Sequence, residues 1–315
     1  MNSLIIPVYK NEQNIPSLIL ALQQLNQDIN NLEVVFVVDG SPDASAHMLA
    51  EVLPSSGLTA QLLKLSRNFG SYPAIRAGLI AARGERFAVM AADLQEPPEL
   101  ITQFFTSLEN EPIDIVIATR QSRDDPFSSK LSSNLFWKLY RKFVVPEMPV
   151  GGVDVFACNQ TFRNHLLKLD ESHSSLVALL FWMGFRRKEI PYTRRARNLG
   201  KSSWTFNKKF TYFKDSIFSF TDVPIKILSW VGILGILFSA IMSLAVIIGK
   251  LTGWVDVPGY SATILSIIFF GAFNLLGLGI VGTYSWRTYE NTKRRPSALV
   301  MEQSDYPPNE TPKTS

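Results

Sequence analysis

Leu32-Glu33-Val34-Val35-Phe36-Val37-Val38-Asp39-Gly40-Ser41-Pro42-Asp43 is a nearly unbroken apolar, β-branched run that ends abruptly in a polar turn. A strand with one face in water alternates apolar and polar residues; this run does not alternate, so residues 32–38 are expected to form a strand covered on both faces. Residues 3–8, 61–65, 87–91 and 113–119 have the same character, and stretches of helical period such as 15–25 and 98–108 lie between them. Apolar strands alternating with helices predict an α/β domain built on a mostly parallel, Rossmann-like sheet. Ligands of such sheets gather beyond the carboxyl ends of the strands. The polar clusters 9–14, 39–43, 66–70, 93–96 and 120–125 each fall at one of those ends, and this places a site there.

The last third of the chain has a different composition. Residues 227–249 and 261–286 are two runs without a charge, of 23 and 26 residues. At 1.5 Å per residue each reaches roughly 35 to 39 Å, enough for a hydrocarbon core of about 30 Å. A transmembrane hairpin is therefore expected over 226–287. Lys208, Lys209, Lys214 and Lys226 precede the first run and Arg287, Lys293, Arg294 and Arg295 follow the second, whereas the connection carries only Lys250 and Asp256. That asymmetry puts both termini and the α/β domain on the cytoplasmic side of the inner membrane. Met1 leads almost directly into the first strand, so no signal peptide is expected. The net charge of +4 sits mostly beside the apolar runs and suits anionic lipid, not nucleic acid. A lone cysteine, Cys158, excludes an internal disulfide and reads as a small packed residue.

The chain then divides into an α/β domain over 1–205, an amphipathic segment over 206–225, the hairpin, and a tail over 288–315. In the amphipathic segment Phe210, Phe213, Ile217 and Phe220 recur at spacings of three and four, backed by Lys208, Lys209, Asp215 and Ser216. Such a stripe predicts a helix lying in the membrane interface, an ordinary core-facing helix being the alternative. The tail is rich in Pro, Ser, Thr and Asn and is expected to be disordered. Gly235, Ser239 and Ser243 recur every four positions, with a shorter series at Gly279 and Thr283. Small residues on one helix face permit close packing in lipid, so a homo-oligomer, or tight packing within the hairpin, is expected.

Several motifs carry a family resemblance over some seventy per cent of the chain. Pro7-Val8-Tyr9-Lys10-Asn11-Glu12, Ser66-Arg67-Asn68-Phe69-Gly70, the run from Ala92 through Asp93, Gln95, Pro97 and Pro98 to Leu100, and Gly200-Lys201-Ser202-Ser203-Trp204 occur in order. The chain resembles the polyisoprenyl-phosphate glycosyltransferase branch of family 2, the branch of dolichol-phosphate mannosyltransferase and its two-span bacterial relatives. The resemblance implies a GT-A fold, a nucleotide-sugar donor, Mg²⁺ or Mn²⁺, inversion at the anomeric carbon and a polyisoprenyl phosphate acceptor of the undecaprenyl type. A catalytically silent membrane scaffold of the same fold is the competing reading. A polymerising synthase is disfavoured, since two spans are too few to line a channel.

On that reading Pro7, Tyr9, Glu12, Asp39, Arg67 and Asp93 contact the nucleotide sugar. Asp93, with the Gln95 carbonyl on an extended segment beside it, would hold the metal; phosphates supply the remaining ligands of such ions. An N-cap ahead of Pro97 and Pro98 is the alternative for Asp93. Two carboxylates usual in the family are absent, with Val38 and Ala91 in their places. Asp39 would meet the base or ribose by analogy, or serve as a turn carboxylate bonding the local backbone; Tyr9 is either a base contact or a packed residue. Arg67 and Arg120 offer planar forks for phosphate oxygens. Asp154 matches an aspartate placed near the acceptor, as base or as orienter. A phosphate monoester is already largely ionised at neutral pH, with a second pKa of about 6, which weakens the case for a base. Arg194, Arg197, Lys201, Ser202 and Ser203 would meet the lipid phosphate, or simply anionic lipid.

Overall fold

The computed structural model of the protein describes residues 1–120, 141, 145–149, 152–171, 174–194, 215–252 and 259–308. Eight strands form one sheet: β1 (Asn2–Val8), β2 (Leu32–Val38), β3 (Thr59–Leu65), β4 (Arg86–Val89), β5 (Ile115–Arg120), β6 (Val153–Asn159), β7 (Arg187–Tyr192) and β8 (Val300–Tyr306). Their order is β7-β5-β6-β4-β1-β2-β3-β8. The block β4-β1-β2-β3 is parallel throughout, and β7 runs parallel to β5. Only β6, inserted between β4 and β5, and β8, added outside β3, run antiparallel to their neighbours.

The absence of alternation in β2 has the consequence expected of it. All seven of its residues are buried: Val34, Phe36 and Val38 enter one core cluster, and Val35 and Val37 enter the other. The first cluster is closed by α1 (Ile15–Asp28), α2 (Ser45–Val52) and α4 (Glu99–Asn110). The second is closed by α3 (Ser71–Ala81), α5 (Gln160–Lys168) and α6 (Leu176–Trp182). Arg76 on α3 is 9% exposed and donates to the carbonyls of Leu166, Leu167 and Leu169, so its charge satisfies the otherwise unpaired C-terminal end of α5. Cys158 is buried, and desolvation drives its thiol pKa far up; it is a packed core residue.

The tail departs from its expected disorder. Val300–Tyr306 pairs antiparallel with β3, from Leu65↔Val300 to Ala60↔Tyr306. Gln303 donates to Gln61, Lys64 meets Glu302 at 2.7 Å, and Arg83 meets Asp305 at 2.6 Å. Composition misleads here because β8 is polar and exposed along most of its length. The order comes from β3, whose unpaired edge β8 covers.

Helices α7 (Val223–Leu251) and α8 (Tyr260–Thr292) run 29 and 33 residues. Among the described residues, no helix is long and apolar enough to cross a membrane. The expected amphipathic helix over 206–225 lies outside the described residues up to 214, and its end differs from expectation. Residues 215–220 are helical, 221 and 222 break the helix, and α7 begins at Val223. Ser216, expected on the polar face, is fully buried, and Asp215 pairs with Arg287 of α8 at 2.6 Å. The segment therefore docks on the base of α8. Gly235 faces Phe270 of α8, whose ring carbon lies 3.9 Å from the position a Cβ would take, so the first small residue of the series looks inward to the hairpin.

Candidate active site

Parallel pairing of β1, β2, β3 and β4 brings the turns that follow them to one edge of the sheet. The first two turns are tied to each other. The Glu12 amide donates to Asp43 Oδ2 at 3.1 Å, and the Ala44 amide donates to Glu12 Oε2 at 2.9 Å. The Lys10 amide donates to Ser41 Oγ, whose hydroxyl donates to Asp43 Oδ1 at 2.6 Å. Burial opposes ionisation of Asp43, but donors from Ser41, Ser45 and the Glu12 and Ser45 amides outweigh it, and its pKa is lowered. Beside this lattice lies a cleft of about 280 Å³ lined by Lys10, Glu12, Gln13, Asn14, Pro42 and Asp43. Pro7 lies within β1, opposite Val37 of β2. Tyr9 is half-buried at the head of the turn, with Lys10 Nζ 5.5 Å from its ring centre.

Asp39 is 3% exposed and accepts from the Phe69 and Gly70 amides at 2.7 and 2.9 Å. Burial raises its pKa, against those two amides and the nearby Arg67 charge. Its carboxylate thus braces the 66–70 turn. Of the two sequence readings the backbone-bonding one describes its contacts, although the partners lie thirty residues away and not in its own turn. The braced turn presents Arg67, stacked on Phe69 with Cζ 4.0 Å from the ring centre. Gly40 makes the close approach possible: at φ +54° a Cβ there would stand 2.2 Å from the Arg67 carbonyl carbon and 2.4 Å from the Asn68 nitrogen. Gly40→Ala is expected to cost on the order of 2–4 kcal/mol, from the left-handed backbone and the clash together. Thermal unfolding of the purified variant checks this; an unchanged midpoint would show that the two turns are not in contact.

After β4 the chain turns at once. Leu94 has φ +52° and the Gln95 amide donates to Asp93 Oδ1 at 3.4 Å, so the segment is a turn and not the extended stretch expected. The side chains of Asp93 and Gln95 therefore do not lie side by side through strand alternation. Gln95 Oε1 instead accepts from Arg194 Nη2 at 2.6 Å, and Arg194 Nε lies 3.6 Å from Glu96 Oε1. The N-cap alternative for Asp93 is not realised, since α4 starts after Pro98 without a side-chain cap. Among the described residues no three His, Cys, Asp or Glu side chains cluster as a metal site. The donors present are one carboxylate and one amide oxygen, hard ligands of the kind that hold Mg²⁺ or Mn²⁺ when a substrate completes the shell.

Arg120 ends β5, opposite Tyr192 of β7. Because β6 is antiparallel, its beginning comes to the same edge, with Val153 opposite Thr119. That brings the backbone of Asp154 there; its side chain, like Arg197, Lys201, Ser202 and Ser203, lies outside the described residues. Sequence reasoning passed over Glu96, which is 1% exposed and ion-paired with Arg194. A carboxylate directly before two prolines was the available signal.

An edge that offers polar turns from four parallel strands, an arginine on a braced loop and a carboxylate turn is suited to an anionic ligand, and comparison with known proteins shows the family. The family described as Glycosyl transferase family 2 matches residues 3–169. CsbB of Bacillus subtilis (strain 168), provisionally designated a glycosyltransferase, is 34% identical over 99% of this chain and 94% of its own. The bactoprenol glucosyl transferase of Shigella phage SfV is 28% identical over 96% and 98%. Glucosyl-3-phosphoglycerate synthase from Mycobacterium tuberculosis, solved with Mn²⁺, UDP-glucose and phosphoglyceric acid, superposes with a TM-score of 0.51 over 69% of this chain and 77% of that one. At 17% identity that likeness speaks to the fold alone, an α/β GT-A-like mixed sheet. Match and near full-length relatives converge with the site edge: this chain is a glycosyltransferase and belongs to glycosyl transferase family 2.

Proposed function

We propose that the protein transfers a sugar, with inversion, from a nucleoside-diphosphate donor to a polyisoprenyl phosphate of the undecaprenyl type at the cytoplasmic face of the inner membrane. The observation that carries this reading is the gathering of the 9–14, 39–43, 66–70 and 93–96 turns at one sheet edge, beside the 280 Å³ cleft. The near full-length relative named for bactoprenol supports the acceptor. In this scheme the cleft beside Tyr9 and Glu12 takes the base. Arg67 and Arg120 hold phosphate oxygens, and Asp39 positions Arg67. A divalent cation at Asp93 and Gln95, when bound, neutralises charge on the leaving diphosphate. The lipid phosphate oxygen attacks the anomeric carbon in line as the bond to the diphosphate breaks. That oxygen is already ionised, so Asp154 serves to orient the acceptor end of the site.

The same reading places α7 and α8 in the bilayer as a hairpin. Their backbones reach roughly 44 and 50 Å, and the apolar runs continue through positions whose side chains lie outside the described residues. The side chains that are described support it: Trp230, Phe238, Ile241, Phe269 and Leu275 are each at least 60% exposed, an apolar surface far larger than a water-facing protein carries. Homo-oligomerisation is part of the proposal, through surfaces other than the Gly235 face, which packs on Phe270 within the hairpin.

Membranes containing the protein, supplied with radiolabelled UDP-, GDP- and CDP-sugars and undecaprenyl phosphate, are expected to yield a labelled lipid cleaved by mild acid. No labelled lipid from any donor would overturn the reading. The donor that labels names the sugar.

A further inference from the structure

Arg194 lies two residues past the end of β7, at the start of the basic stretch that runs to Lys201. Its guanidinium crosses to the turn after β4, where it donates to Gln95 at 2.6 Å and sits 3.6 Å from the buried Glu96 carboxylate. The amide oxygen it holds is the one offered to a divalent cation in the reading above. A guanidinium donating along that oxygen and a cation coordinating it would stand a few ångströms apart. Like charges that close repel each other strongly. Glu96 lacks the exposure to follow the arginine outward, since its side chain is only 2% exposed, while that of Arg194 is 31% exposed. Of the two, the arginine is the one with solvent beside it.

We propose that Arg194 is a latch worked by the divalent ion. Without the ion it closes the 93–96 turn from β7; the ion's arrival at Asp93 and Gln95 displaces it, and the released guanidinium meets an incoming phosphate. The inference rests on the metal assignment of the preceding subsection. Arg194 is a positioning residue, and the ion and the phosphate are coupled through it. Coupling of this kind is reciprocal. Removal of the latch therefore tightens the ion alone and weakens the mutual assistance between ion and phosphate.

The test uses the full chain in nanodiscs and reads binding, not turnover. Free Mn²⁺ is followed by electron paramagnetic resonance for the wild type, Arg194→Met and Arg194→Lys. Both variants are expected to bind Mn²⁺ more tightly than the wild type in the absence of nucleotide, by about tenfold for a lost competing contact of ordinary coupling strength. Arg194→Lys retains the charge but not the fork, so it separates displacement from general electrostatics and also guards against misfolding of the methionine variant. UDP and undecaprenyl phosphate are then titrated separately with and without Mn²⁺. The phosphate whose Mn²⁺-dependent gain shrinks in the variants is the one Arg194 meets on release. Equal Mn²⁺ affinity in all three proteins overturns the latch and leaves the metal assignment standing, as does a gain that persists for both phosphates. Absence of Mn²⁺ binding in all three overturns the metal assignment and the latch with it.

Discussion

Asp93→Asn is expected to lower sugar transfer by about 10²–10³-fold, the usual loss when one preorganised electrostatic contact to a developing charge is removed. The size of the effect follows from the sequence around it. Ala91 stands where the resemblance puts a second carboxylate, and Glu96 of the same turn is buried and paired with Arg194, so Asp93 is the carboxylate proposed to meet a cation there. Asparagine keeps an oxygen for the Gln95 amide, which donates to Asp93 at 3.4 Å, and Asp93 braces no helix end. Sugar transfer and Mn²⁺ affinity should therefore fall together. Labelled-lipid yield and Mn²⁺ affinity, measured on the same preparation, check this. A variant with full activity would remove Asp93 from the mechanism, and a wild type that binds neither nucleoside diphosphate nor Mn²⁺ would favour the silent-scaffold reading.

Ending the chain after Pro296 is expected to destabilise the α/β domain by roughly 3 kcal/mol or more, the net of several ladder and side-chain hydrogen bonds of about 0.5–1.5 kcal/mol each less the ordering cost of the strand. The lost contacts are specific. β3 loses its pairing from Ala60 to Leu65, Gln61 loses the Gln303 donor, and the Ser66 amide loses the Leu299 carbonyl at 3.0 Å. Lys64–Glu302 and Arg83–Asp305 contribute less because both pairs are exposed. For a domain of this size the melting midpoint should fall by roughly 6 °C or more. Since Ser66 opens the turn that carries Arg67, the donor KM should rise as well. Scanning fluorimetry and donor titration of the truncated protein measure both. An unchanged midpoint would mean that β8 is not part of the sheet in solution.

What local sequence determined is visible strand by strand. Residues 32–38 were legible to both ends because six apolar residues, four of them valine, followed by Asp-Gly leave the chain little alternative to a doubly covered strand and a turn. The same reasoning located the central strands, α1, α4, the apolar helices and the edge of the sheet where the polar turns gather. Each of these depends on residues within a few positions of one another. Tertiary structure decided the rest. β8 carries no apolar period and is ordered only by the edge of a strand some 240 residues earlier. β6 reverses the sheet for reasons no local pattern contains, and by reversing it brings the backbone of Asp154 to the edge where the polar turns lie. Asp39 and Arg194 announce a charge in the sequence but not its partner. Asp39 finds amides thirty residues on and Arg194 finds a side chain ninety-nine residues back. A charged group near a binding edge goes where burial and geometry leave an unmet hydrogen bond, and only the folded chain shows where that is.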